Sequence, residues 1–128
     1  MIDRAVRSAC AAVLAVLALA PAPSRAADCS LALQQAKFVA DEARRAFDGW
    51  NYVEIGNIAS STRIPAIDAA QSARACGCPA AAPPLEAAVV QAQRSNVALN
   101  IDSARGYAAE IRKQADLAQE ALRRCGAR

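Results

Sequence analysis

The chain has 128 residues, of which 55% are hydrophobic and 21% charged, and its formal net charge is +3. The two signs are interspersed, so there is no basic stripe for nucleic acid or anionic lipid. The absence of histidine excludes the Ser-His-Asp and Cys-His catalytic arrangements, and no glycine loop suited to phosphate binding is present, so we expect a protein that is not an enzyme.

Residues 1–26 have the pattern of a cleaved secretory signal peptide. Arg4 and Arg7 form a basic start, an apolar run follows over 9–20, and small residues lead to a cleavage site after Ala26. The apolar run is shorter than the roughly 20 residues that span a bilayer. We expect the mature chain, residues 27–128, to be soluble, without a transmembrane segment, and periplasmic or secreted.

Four cysteines remain after that cleavage, and they follow a regular spacing. Cys29 and Cys76 are 47 positions apart, as are Cys78 and Cys125, and a shift of 49 residues maps one pair onto the other. An exported chain meets an oxidising environment, in which such cysteines form disulfides. The spacing predicts two tandem helical hairpins, 29–76 and 78–125, with a cysteine at each free end.

Apolar and small residues recur in steps of three and four along both hairpins, as they do on the buried face of a packed helix. The repeat of 49 residues equals seven heptads, so it preserves the facing of each side chain. We therefore predict an all-α protein, an antiparallel four-helix bundle. The predicted buried positions of the two longer helices are Tyr52, Ile55, Ala59, Thr62, Ala66, Ala69, Ala73 and Cys76, and Ile101, Ala104, Ala108, Ile111, Ala115, Ala118, Leu122 and Cys125.

Punctuating residues indicate where the helices begin and end. Asn51 and Asn100 are suited to be N-caps of the second and fourth helices. Pro65 predicts a kink or break near 60–64. Gly77 suits the left-handed stop between the two hairpins.

Each disulfide is expected within a hairpin, because the start of its first helix lies beside the end of its second. This pairs Cys29 with Cys76 and Cys78 with Cys125. The pairing of Cys29 with Cys78 and Cys76 with Cys125 stays open, whereas a bridge between Cys76 and Cys78 would close a strained ring.

The aromatic residues Phe47, Trp50 and Tyr52 cluster at the turn of the first hairpin. They are the candidate partner-binding residues, since exposed aromatic side chains often dominate interfaces. The alternative, which we favour on sequence alone, is that the rings cover the end of the bundle by packing on Leu99 and Ile101.

These patterns favour a small exported helical protein of the bacterial envelope that acts in binding or as a scaffold, with a protein as its possible partner. One alternative is an inhibitor or immunity-type protein against a toxin or cell-wall hydrolase. Another is a thiol-redox or metal-binding protein that uses the clustered cysteines. Because the cysteine spacing is unlike that of structural zinc sites, we expect no metal site and no cofactor.

Overall fold

The computed structural model describes residues 28–126, and the predicted signal peptide lies outside the described residues. Within that range the chain forms helices and no strand, which confirms the all-helical prediction. No helix there is both long enough and apolar enough to cross a membrane. The helices are α1 Ser30–Phe47, α2 Tyr52–Ser60, α3 Arg63–Ala75, α4 Ala82–Ser95 and α5 Ile101–Arg124, with a 3₁₀ turn over Pro79–Ala81 before α4.

These helices make four rods, because α2 and α3 follow each other along a single broken rod. The α2/α3 rod packs against α1 on one side and α4 on the other, and α5 contacts both α1 and α4 to close the ring. Disulfides join the start of α1 to the end of α3 and the start of α4 to the end of α5. Rods joined in this way run in opposite directions.

The core is built mainly from alanine, as the sequence stripes predict. Most fully buried positions are alanines, and few larger aliphatic side chains lie among them. Each alanine buries little apolar area, so the hydrophobic contribution per residue is small. Because the side chains are small, the helix axes can approach each other closely. The largest buried apolar side chains are Val39, Ile55, Leu85, Ile111 and Leu122.

The predicted break in the second rod is confirmed at Ser61 and Thr62, between α2 and α3. The hydroxyl of Ser61 donates to the carbonyl of Ile58 at 2.6 Å, and that of Thr62 donates to Ala59 at 2.6 Å. Pro65 is the third residue of α3, where its missing N–H costs no intrahelical hydrogen bond.

Both asparagine caps are confirmed, and they have nearly the same geometry. The Asn51 side chain accepts from the Glu54 backbone N–H at 2.9 Å, and the Asn100 side chain accepts from Ser103 at 2.8 Å. Each side chain satisfies one of the N–H groups that a helix start leaves unpaired. The starts of α2 and α5 are thereby fixed.

Candidate partner-binding surface

The bundle has two different ends, which we call the disulfide pole and the tip pole. The disulfide pole holds the Cys29–Cys76 and Cys78–Cys125 bonds. The tip pole holds the loops that connect α1 to α2 and α4 to α5. The 24 residues of α5 separate the two poles by roughly 35 Å at 1.5 Å per residue.

The disulfide pole is closed both covalently and by backbone hydrogen bonds. Gly77 has a φ of 84° and Gly126 a φ of 90°, so each provides the left-handed residue that ends a helix. The Cys78 N–H donates to the Ala73 carbonyl at 2.8 Å, completing the turn that leads from one disulfide to the other. The predicted stop at Gly77 is confirmed, and the equivalent stop at Gly126 was not predicted.

The chemistry available at the disulfide pole is limited by those bonds. All four sulfurs are in disulfides, so none is a free thiolate that could bind a metal or attack a disulfide. Across residues 28–126, no group of three metal-ligating side chains lies close enough together to hold an ion. What the two disulfides do at this pole is tie helix ends together.

The two loops of the tip pole lie side by side. The guanidinium carbon of Arg105, on the first turns of α5, is 5.9 Å from the centre of the Phe47 ring at the end of α1. On α2, a Cβ placed on Gly56 would lie 2.7 Å from the carbonyl oxygen of Ser95 at the end of α4. These contacts bring together the helix ends that flank the two loops.

The aromatic residues do not cover this end in the expected way. Trp50 is 89% exposed and Leu99 is 84% exposed, so the expected packing of the Trp50 ring on Leu99 is wrong. Phe47 and Tyr52 are 44% and 41% exposed, and Ile101 packs against the core. The Trp50 side chain thus has few packing contacts within residues 28–126.

Local packing explains why Trp50 points outward. A residue directly before an N-cap often packs on the fourth residue of the helix, which here is Ile55. That side chain is fully buried, and Gly49 lies so near that a Cβ on it would be 2.7 Å from Ile55 Cγ1. The backbone N–H of Trp50 donates to the Glu54 carboxylate at 2.9 Å. Gly49 therefore occupies the place beside Ile55, and the indole stays outside.

The second loop adds two exposed apolar residues that sequence reasoning did not assign to a site. Val97 is 72% exposed, and Leu99 precedes the cap Asn100 as Trp50 precedes Asn51. A cluster of exposed apolar side chains is a recognised sign of an interaction site. We define the tip surface as Phe47, Trp50, Tyr52, Val53, Val97 and Leu99.

The two tip loops carry a single charged side chain, that of Asp48. The loop residues 49–51 and 96–100 are glycine, tryptophan, asparagine, valine, alanine and leucine. Asp48 directly precedes Gly49 in the first loop, and Glu54 and Asp102 lie in the first turns of α2 and α5. Carboxylates are favourable there because helix N-termini carry a partial positive charge.

A groove of about 730 Å³ begins beside the tip surface and runs between α1 and α5. Its floor is apolar, and its walls carry three cationic and three anionic side chains, so it shows no preference for a ligand of one charge. Its lining residues are Ala43, Arg44, Phe47, Asp48, Ala108, Ala109, Arg112, Lys113, Asp116, Leu117 and Glu120.

The chain was compared with protein-family models, curated proteins and solved structures, and no match was found in any of the three.

Proposed function

We propose that this protein is a small exported, non-enzymatic helical binding or scaffold protein of the bacterial envelope, which presents the tip surface to a partner. The observation that carries the proposal is the contrast between its ends. Two disulfides close one pole, while Trp50 and Leu99 stand almost fully exposed at the other.

Export is supported by the disulfides, because such bonds persist in oxidising compartments. The basic and apolar pattern of residues 1–26 supports the same location. The disulfides also support binding, because they stabilise a bundle whose alanine core buries little apolar area. A rigid bundle holds the two loops at a fixed distance, which lowers the entropy cost of binding.

We also propose that the two halves are tandem copies, 29–76 and 78–125. Equivalent positions have equivalent roles in the two halves. Asn51 and Asn100 are N-caps with side-chain hydrogen bonds to the third helical residue, and Gly77 and Gly126 both have positive φ. The exposed residues of the tips also correspond, because Trp50 maps to Leu99 under the 49-residue shift.

Site-specific photo-crosslinking in living cells tests the binding role. A benzophenone amino acid in place of Trp50 should form a covalent adduct with the partner on irradiation. The same residue in place of Val90, an exposed valine on the side of α4, is the matched control and should form none. Equal adducts from both positions, or none from position 50, would contradict a partner at the tip.

The intact mass of the protein from the envelope fraction tests export. The expected mass corresponds to a chain that begins at Ala27 and lacks the four thiol hydrogens lost in two disulfides.

An adduct between position 50 and a toxin or cell-wall hydrolase would favour the inhibitor or immunity alternative. Free thiols or bound metal in that protein would favour the thiol-redox or metal alternative.

A further inference from the structure

The outermost residues of the tip surface have the properties of a membrane-contact site. We propose that Trp50, Val97 and Leu99 insert into the interfacial region of a phospholipid bilayer. This membrane proposal rests on the proposed function in one respect, because both require that the tip surface is the binding site of the protein.

The exposure of three apolar side chains at the tip pole supports a lipid partner. Exposures of 89% for Trp50, 84% for Leu99 and 72% for Val97 mean that these side chains have few contacts within residues 28–126. They belong to the two loops of the tip pole. A protein partner would need a cleft matched to both loops, whereas lipid headgroups rearrange around any set of apolar side chains at one level.

The size of this projection also argues against a second copy as the occupant. A large aromatic side chain buries about 150–250 Å², and the two aliphatic side chains add a similar area. A standard protein interface takes about 800 Å² from each partner. The three side chains fall well short of that, but weak reversible membrane binding needs far less.

The distribution of charge fits an interface with uncharged headgroups. Loop residues 49–51 and 96–100 contain no charged side chain. Beside them lie three carboxylates, Asp48, Glu54 and Asp102, and two guanidinium groups, Arg94 and Arg105. The nearby charge is thus one unit from balance, so an anionic bilayer is neither strongly attracted nor strongly repelled. Tryptophan is itself enriched at the level of the lipid headgroups. We therefore expect binding that depends little on lipid charge.

The chain contains one tryptophan, so its intrinsic fluorescence reports on Trp50 alone. Oxidised protein purified after export is titrated with vesicles of phosphatidylcholine, and separately with an equal mixture of phosphatidylcholine and phosphatidylglycerol. The emission should shift to shorter wavelength with both vesicles. Half-saturation is expected near 0.1 mM lipid, on the order of the affinity of a single acyl anchor.

Two leucine variants make a matched pair for this titration. Leu99→Asp places a charge at the tip, and Leu31→Asp places one on an exposed leucine at the disulfide pole. Leu99→Asp should weaken the partition by about tenfold or more, because a buried leucine contributes that much. Leu31→Asp should titrate like the wild type. Both variants have an unchanged N-terminal segment before residue 28. Circular dichroism establishes that both are folded.

Three results would overturn the lipid assignment. They are an emission that no vesicle shifts, a shift with the anionic mixture alone, and a shift that Leu99→Asp leaves unchanged. Trp50 emission that no vesicle shifts, together with a protein adduct of the benzophenone amino acid at position 50, would leave a protein partner at the tip. That last result would overturn the membrane proposal while preserving the proposed function.

Discussion

Within one turn of the tip pole, Trp50 and Ile55 have opposite roles. Ile55 is fully buried in the cluster that fills this end of the bundle, whereas Trp50 is 89% exposed. A large apolar residue stabilises a fold only in proportion to the area that it removes from water. Trp50 therefore contributes little to the stability of the fold, which is consistent with the proposed binding role.

We predict that Trp50→Ala changes the free energy of unfolding by no more than about 0.5 kcal/mol, as exposed substitutions usually do. Ile55→Ala should lower it by about 2–5 kcal/mol through lost burial and the cavity left behind. Urea denaturation followed by circular dichroism measures both. A loss from Trp50→Ala as large as that from Ile55→Ala would mean that the indole is packed.

At the residue scale, the sequence was sufficient where chemistry acts locally. Asn51 and Asn100 were predictable as caps because the hydrogen bond spans only three residues. The exposure of Trp50 was not predictable, because it depends on Gly49 occupying the space beside Ile55. The apolar character of tryptophan does not indicate whether Trp50 or Gly49 packs beside Ile55.

At the scale of helices, Gly56 and Gly106 are two glycines inside helices that have different surroundings. Gly56 of α2 is buried, and a Cβ there would lie 2.7 Å from the Ser95 carbonyl oxygen. Gly106 of α5 is exposed, with open space around the same position. The first glycine permits close contact between α2 and α4, whereas the second only lowers helix propensity.

Alanine substitution should therefore have opposite effects at these two positions. Gly56→Ala is expected to lower the free energy of unfolding by about 1–3 kcal/mol, because the backbone of α4 must move. Gly106→Ala should raise it by about 0.5–1 kcal/mol. Chemical denaturation of the pair checks both signs. Stabilisation by both substitutions would show that α2 and α4 are farther apart than described.

Steps of three and four correctly predicted burial at Ile55, Ala59 and Ala66. The same pattern was wrong at Tyr52, which is 41% exposed because it lies at the open end of the bundle. Pro65 predicted the break in the second rod. The close contact at Gly56 was not predictable, because it depends on which helices become neighbours. The groove along α1 and α5 was missed for the same reason.

For the whole molecule, the disulfides replace much of the stability that a larger core would supply. Each closes a loop with a sequence separation of 47, which constrains the unfolded chain by on the order of 4 kcal/mol in the chain-entropy model. That is comparable with the net stability of a small domain. Equal loops imply nearly equal contributions.

We predict that Cys29→Ala with Cys76→Ala, and separately Cys78→Ala with Cys125→Ala, each lower the free energy of unfolding by roughly 2–5 kcal/mol. The two losses should agree within about 1 kcal/mol, since the chain-entropy term depends on loop length alone. Denaturant titration of the oxidised proteins provides the comparison. A large loss from one pair and none from the other would contradict two equivalent clamped halves.

The connectivity of the disulfides is the most direct test of the account, because both poles are defined by it. Trypsin cannot separate Cys76 from Cys78, since no lysine or arginine lies between Ala75 and Arg94. The oxidised exported protein should therefore be digested without reduction and fragmented at Gly77 in the mass spectrometer. The account predicts that the Cys76 fragment carries the peptide of Cys29, and the Cys78 fragment that of Cys125. Exchange of those two attached peptides would contradict it.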